Sequence, residues 1–383
     1  MKKLLLLTLI FCLALALVAC AAEAPVEEDP AAEEGAVEEA SAGLKIAVIS
    51  SPSGVDDGSF NQNIYEGALA FVANASPEST VTPIQETTGD TNAAIQAVAD
   101  VVADYDVLIC NGFQFAGIGT VAQDNPDSLF ILVDAFPTDA TGAEVALDNV
   151  YAVQYAEQES GFFAGIAAAM ETKTGKVAVV NGIAFPSNVN YQWGFESGVY
   201  YANSHYGASA EIVELASYAG TDVTGANVGG NYAGSFSDQA TGKVIGAALI
   251  AEGCDILFVA AGNSGNGVFT AVKEASDAFV IGCDVDQFDD GVNGDLNIVL
   301  TSGLKKMDMT VEQALNAVLD GSFAGGNNLL NATNDATGYV SEDGRHQLSQ
   351  ATLDALAEVY PLVKSGEIVP AANFNGVDPE SFK

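Results

Sequence analysis

The chain has 383 residues, with 51 acids against 12 bases and a formal net charge of −39. That balance argues against nucleic acid or an anionic lipid surface as a direct ligand, because both require a basic face. Five cysteines without metal-ligand spacing and two histidines outside any motif argue against a disulfide framework or a metal centre.

The N-terminus reads Met1-Lys2-Lys3, then unbroken apolar residues 4–19, then Cys20. A basic start followed by a short apolar stretch is the layout of an export signal, and the stretch falls short of the ~20 residues of a membrane-spanning helix. Leu17-Val18-Ala19-Cys20 marks a lipoprotein signal. Small residues admit the peptidase, and the Cys20 thiol accepts a diacylglyceryl group, whose paired chains anchor where one chain would not. Residues 1–19 are therefore expected to be removed, leaving the protein outside the bacterial cell membrane and held there by lipid on Cys20. Residues 20–43 carry eight acids among alanines, with no base and no aromatic. Such a segment cannot bury enough apolar surface to order itself and is expected to serve as a disordered acidic tether.

From residue 44 on, apolar strand-like runs alternate with helical patterns. The runs predict strands at 46–50, 81–84, 107–110, 129–133, 150–153, 177–180, 212–215, 256–260, 279–282 and 298–301, with helices at 61–75, 92–103, 159–170, 243–252 and 268–276. This alternation predicts an α/β fold of doubly wound parallel sheets, in which loops at the strand C-termini build the ligand site. The segment 45–51 also echoes 176–182, as two similar halves facing each other would require. Cys110, Cys254 and Cys283 lie in or beside apolar runs and read as small buried hydrophobes.

Four loops follow strands and carry polar or aromatic residues. In residues 51–62, Asp57 or Ser59 can cap a helix starting near Asn61, yet capping does not require Phe60 or Asn61. Asp134 ends the strand at 129–133. Residues 186–195 read as a loop with the single tryptophan and Phe195. The fourth pairs Gly262-Asn-Ser-Gly-Asn-Gly267 with Asp284 and Asp286. The glycine-rich turn lacks the P-loop lysine and the dinucleotide spacing, so Gly262 is read as letting backbone approach a ligand. Strand-end carboxylates can accept bonds from vicinal hydroxyls or ring N–H groups, Lys305 can donate, and Phe60 and Phe195 can stack on a flat ring, at ~1–3 kcal/mol per base. The same residues leave a sugar or other small polar ligand open. They also leave open a hydrolase using Asp284 and Asp286, although no paired acid or histidine is evident elsewhere.

With these residues in view, the chain resembles the basic membrane protein family, lipoproteins that serve ABC importers and include purine-nucleoside-binding members. The landmarks are Asp56-Asp57-Gly-Ser-Phe60-Asn61-Gln62, Gln158-Glu159-Ser-Gly-Phe-Phe-Ala-Gly165, Gly194-Phe195-Glu-Ser-Gly198, Ala261-Gly-Asn-Ser-Gly-Asn-Gly267, Ile281-Gly-Cys-Asp284-Val-Asp286-Gln287, Leu304-Lys305 and Ser365-Gly-Glu-Ile-Val-Pro370. The resemblance implies a type I periplasmic-binding-protein fold: two Rossmann-like lobes, 44–154 with 304–335 and 155–303 with 336–383, and a ligand cleft between them. It implies a monomeric binding protein, not an enzyme, without cofactor or metal, whose partners are a nucleoside and the permease subunits; a ligand sensor is the alternative. It further implies that Phe60 and Phe195 sandwich the base, that Asp134 meets the base or cleft floor, and that Asp284 with Lys305, chosen over Lys306 by the family pattern, holds the ribose. Where the family commonly has a base-reading aspartate, this chain has Ser51, and a neutral hydroxyl cannot accept two ring N–H bonds. A shifted or relaxed base preference is expected.

Overall fold

Apolar runs without alternation become strands buried on both faces, and the computed structural model, which describes residues 43–275 and 277–383, sorts them into two sheets. The export signal, Cys20 and the acidic tether lie outside the described residues.

In chain order the first sheet takes up β1 (Lys45–Ser50), β2 (Thr80–Gln85), β3 (Val107–Asn111), β4 (Leu129–Val133) and β5 (Val150–Tyr155). Helices α1 (Phe60–Asn74), α2 (Thr91–Val101) and α3 (Gly119–Asp124) lie between them. The chain then runs through α4 (Glu157–Glu171) to β6 (Lys176–Asn181), α5 (Pro186–His205), β7 (Glu211–Ile212) and a hairpin, β8 (Gly220–Thr221) with β9 (Asn227–Gly229). Next come α6 (Gln239–Ala251), β10 (Ile256–Ala260), α7 (Gly262–Glu274), β11 (Phe279–Asp284), a second hairpin of β12 (Val292–Asn293) and β13 (Leu296–Asn297), and β14 (Val299–Lys305). After β14 the chain returns through α8 (Met307–Asp320), which packs on α1, and β15 (Gly326–Leu330) to the first sheet. It ends on the second lobe with β16 (Thr337–Tyr339) and α9 (Gln350–Lys364).

The strand orders are β15-β5-β4-β3-β1-β2 and β16-β14-β11-β10-β6-β7, parallel throughout except where β16 pairs with β14. The echoing segments, β1 and β6, occupy equivalent positions, second from the same edge. β4 and β11 are likewise equivalent. Pro83 is tolerated in β2 because that strand lies at an edge.

Helices cover both faces of each sheet, with a core on either side: Ile46, Val48, Phe71 and Val311 on one face of the first, Ala47, Phe115 and Leu132 on the other. In the second lobe α4 and α5 cross closely. A Cβ on Gly165 would lie 2.1 Å from the Phe195 carbonyl, and one on Gly198 2.1 Å from that of Phe162. Only glycine permits that approach, which explains two of the glycines in the motifs around 165 and 198.

Candidate functional site

The C-terminal ends of the two sets of strands face each other across a cleft. Asp134 follows β4 and Asp284 ends β11, so each lobe contributes an aspartate from the equivalent strand. Both adopt left-handed backbone, with φ of 65° and 69°. Non-glycine residues held there occur where surrounding structure over-determines them, often at ligand sites.

Between these aspartates sits Lys305, the last residue of β14, with 2% side-chain exposure. Its Nζ lies 2.7 Å from Asp134 Oδ2, 3.6 Å from Glu157 Oε1 and 3.8 Å from Asp284 Oδ1. It also stands 4.9 Å from the centroid of the Phe60 ring. Burial alone would depress the lysine, but the three carboxylates outweigh it and hold the ammonium above its ordinary pKa. Burial raises the Asp134 and Glu157 carboxyls against the pull of Lys305, Glu157 to about 7. Asp284 accepts from Tyr191 Oη at 2.8 Å and from Ser59 Oγ at 3.0 Å, the second bond crossing between lobes.

At the start of α1, Asp57 accepts the backbone N–H groups of Ser59, Asn61 and Gln62 at 3.0–3.1 Å, so it is the helix cap. It also accepts from Asn61 Nδ2 at 2.8 Å, and the same nitrogen donates to Ser51 Oγ at 2.9 Å. Burial raises the Asp57 pKa even against these four bonds. Ser59 makes no side-chain capping bond.

Ser51, Asp57, Phe60, Asn61, Asp134, Gly262, Asp284 and Lys305 all line one cavity of about 60 Å³. Phe195 does not. Residues 186–195 form the first half of α5 rather than a loop, because Pro186 fits a helix start. Tyr191 reaches the cleft, whereas Phe195, one turn further on, is fully buried and stacks on Phe258 at 5.8 Å between centroids. The aromatic walls are instead Phe113, Phe185 and Phe236 beside Phe60. Phe113 and Phe185 lie 5.1 Å apart from opposite lobes, and Phe185 and Phe236 6.0 Å apart. Sequence reading also missed Asn111 and Glu157. The available signal was position: Asn111 ends β3, Phe113 lies two residues on, and Glu157 opens α4 two residues after β5. Gly262 opens α7 at φ 51°, and a Cβ there would make only ordinary contact, so the backbone angle, not lack of room, favours glycine.

The lobes also touch directly. Ser53 Oγ donates to the Phe236 carbonyl at 2.8 Å, and Gln287 Nε2 to the Gly58 carbonyl at 3.2 Å. A cavity this small lies well below the ~300–1,000 Å³ of small-molecule sites, so a ligand of nucleoside size needs the lobes to part. Two acceptors in the cavity wall, Asn111 Oδ1 and Asp134 Oδ1, have no partner among the described residues. Such a wall suits a ligand that brings donors and a flat face.

The family described as ABC transporter substrate-binding protein PnrA-like, Bmp, matches residues 44–215 and 216–356. The chain belongs to the Bmp family. Among Bmp relatives, the ABC transporter nucleoside-binding protein BmpA of Lactococcus lactis subsp. cremoris is 30% identical over 304 residues, covering 74% of this chain and 77% of the relative. The CD4+ T-cell-stimulating antigen of Listeria monocytogenes is 26% identical over 338 residues, covering 84% and 87%. The fold is that of the ABC transporter solute-binding protein of Aeropyrum pernix K1, at a TM-score of 0.72 and 22% identity, with 88% of this chain and 95% of that one covered. This Bmp protein is thus a type I solute-binding protein of an ABC transporter. No helix among the described residues is long and apolar enough to cross a membrane.

Proposed function

We propose that this protein binds a nucleoside between its lobes and delivers it to the permease of an importer, while lipid on Cys20 and the acidic tether keep it beside the membrane. The observation that carries the reading is the pairing of Asp134 and Asp284 around the Lys305 ammonium, next to four half-buried phenylalanines. The charged group suits the vicinal hydroxyls of a ribose, and the rings suit a planar base. The Lactococcus relative is named as nucleoside-binding, which supports the same reading. The ligand is bound and released unchanged, and the protein acts as a monomer.

Calorimetry of the full chain in detergent with purine and pyrimidine nucleosides tests this. Failure of every nucleoside to bind at about 1 mM, equivalent to about −4 kcal/mol, would sink the reading. Heat from a simple sugar in the same experiment would replace it with the sugar alternative. Chromatography after incubation with inosine and guanosine should return both intact.

A further inference from the structure

Among the described residues the lobes are joined by three crossings, and two of them are a single residue long: Ala156 between β5 and α4, and Lys306 between β14 and α8. Both hold nearly the same backbone, with φ/ψ of −85°/66° and −83°/72°, near the inverse γ-turn common at strand ends. Their neighbours Glu157 and Lys305 face each other at 3.6 Å, so rotation at these two residues moves the charged centre of the cleft. The third crossing, residues 331–336 between β15 and β16, is longer and contains a short 3-10 turn, Ala332–Asn334. It is tied to the other two through backbone: Ala156 N–H donates to the Leu330 carbonyl at 2.8 Å, and Lys306 N–H to the Ala336 carbonyl at 2.9 Å.

One side chain grips both ends of this longer crossing. Glu159, in the first turn of α4, accepts through the same oxygen, Oε2, the Ala332 N–H at 2.7 Å and the Thr337 hydroxyl. Beside it, Ser160 Oγ donates to the Leu304 carbonyl at 2.7 Å and accepts from the Gly338 N–H at 3.2 Å. Leu304, Thr337 and Gly338 belong to the second sheet, and α4 packs in the core of the second lobe. Ala332 instead stands two residues beyond β15, the edge strand of the first sheet. Of these four bonds, the one from Glu159 to Ala332 alone leads out of the second lobe. Ala332 is fully buried, and the Glu159 carboxylate is what satisfies its N–H.

We propose that the lobes rotate about Ala156 and Lys306, and that Glu159 is a positioning residue that holds the third crossing in its closed arrangement without touching the ligand. Hinges are a few element-terminal residues that absorb the change in φ and ψ, and Ala156 and Lys306 stand at such positions. Rotation carries Ala332 with the end of β15, draws its N–H away from Glu159 and lets water take the place of the carboxylate. In the closed arrangement the buried N–H has no such substitute, so losing the carboxylate penalises closure. Apparent affinity scales with the fraction of protein in the closed arrangement. The role holds for any ligand that the lobes close over.

The test is calorimetry of the full chain in detergent with adenosine, inosine and guanosine, on the wild type, Glu159→Leu, Glu159→Gln and Thr337→Val. Glu159→Leu keeps bulk and loses both bonds, and should weaken the tightest-binding nucleoside about tenfold. Glu159→Gln retains an oxygen for the Ala332 N–H and should stay within about threefold of wild type. Thr337→Val removes only the bond inside the second lobe and should also stay within about threefold, whatever it does to the unfolding midpoint. In parallel, spin labels on Thr87→Cys and Gln239→Cys, both exposed and on opposite lobes, read the distance across the cleft without ligand. Glu159→Leu should lower the closed-to-open ratio about tenfold, and the other two variants should leave it unchanged. Equal affinities for the wild type and Glu159→Leu, or equal losses in Glu159→Leu and Thr337→Val, would overturn the proposal and leave the nucleoside reading intact. Binding by none of the nucleosides would remove that reading alone; the distances then decide, and a ratio unchanged by Glu159→Leu would overturn the role of Glu159.

Discussion

Lys305 Nζ and Asp134 Oδ2, 2.7 Å apart, join the last residue of β14 in the second lobe to the strand end of β4 in the first. The contact stands where the chain crosses back between lobes, so it couples the position of one lobe to the charge of the other. One buried ammonium faces Asp134, Glu157 and Asp284, and the excess of acid is an electrostatic demand that ligand donors can meet.

Removing that ammonium therefore has two consequences. Lys305→Met should cost about 3–5 kcal/mol of stability, the usual penalty for breaking a buried charge pair from one side. It should also abolish ligand binding. Lys306→Met, at a half-buried side chain outside the cavity, should change stability by no more than about 0.5 kcal/mol and leave binding intact. Urea unfolding and calorimetry on both variants decide the matter. Equal behaviour of the two would contradict the assignment to Lys305.

Glu157 gives the fold a pH dependence of definite sign. Its carboxyl keeps its proton up to about 7 in the folded chain, against an ordinary value of 4.5, with burial the largest cause. Between these values the native state holds a proton that the unfolded state has lost, so stability falls as pH rises through the window. The contribution is fully present below 4.5 and gone above about 7, on the order of 3 kcal/mol in all. The groups facing Glu157 are Lys305, Asp134 and Asn190, whose Nδ2 donates to it at 3.1 Å. Glu157→Gln should flatten the slope, with urea midpoints matching wild type near pH 4 and exceeding it above about pH 7. Glu196, also raised to about 7 by burial, is common to both proteins and cancels in the comparison. Parallel curves would refute the assignment.

Most strands of both sheets were legible because their burial on two faces leaves unbroken apolar runs, and β4 and β10 begin and end at the predicted residues; the edge strands β15 and β16 were not predicted, since Gly326-Asn-Asn-Leu-Leu330 and Thr337-Gly-Tyr339 hold no such run. The edge strand β7 was predicted longer, since at Val213 the apolar run outlasts the pairing with β6. Asp57, Phe60, Asp134, Asp284 and Lys305 stand at strand ends or helix starts, where the α/β architecture places function, and the cavity gathers them. α5 escaped detection because its polar, aromatic and glycine residues lack an apolar stripe: its first turns face the cleft and its middle packs on α4. That same error put Phe195 in the cleft. Phe185 was passed over because a lone aromatic before a proline has no periodicity to mark it.

Phe185 and Phe195 should accordingly separate binding from stability. Phe185→Ala removes a half-buried ring from the cavity wall and should weaken nucleoside binding by about 1–3 kcal/mol, with little change in the unfolding midpoint. Phe195→Ala empties a site enclosed by Phe258, α4 and the second sheet, and should cost about 3–5 kcal/mol of stability. Its affinity, measured on the folded fraction, should stay near wild type. The reverse pattern would restore Phe195 to the cleft.

The last prediction concerns Ser51, whose hydroxyl oxygen already accepts from Asn61 and whose proton remains free to donate into the cavity. Beside it, Asn111 Oδ1 is an unpartnered acceptor. Together they offer one donor and one acceptor, a match for a base edge that carries one of each. Ser51→Asp keeps the bond from Asn61 but replaces the donor with a charged acceptor, which matches an edge presenting two adjacent N–H groups. Hydrogen bonds to a charged group contribute about 1.5–3 kcal/mol, so the ratio of guanosine to adenosine affinity should rise at least about tenfold. The new carboxylate also joins the network of Asp57, whose burial already raises its pKa, so a modest loss of stability should accompany the change. Calorimetry with both nucleosides on the wild type and the variant reads the ratio directly. A uniform change for guanosine and adenosine would mean that Ser51 adds to the acidity of the cleft without reading the base.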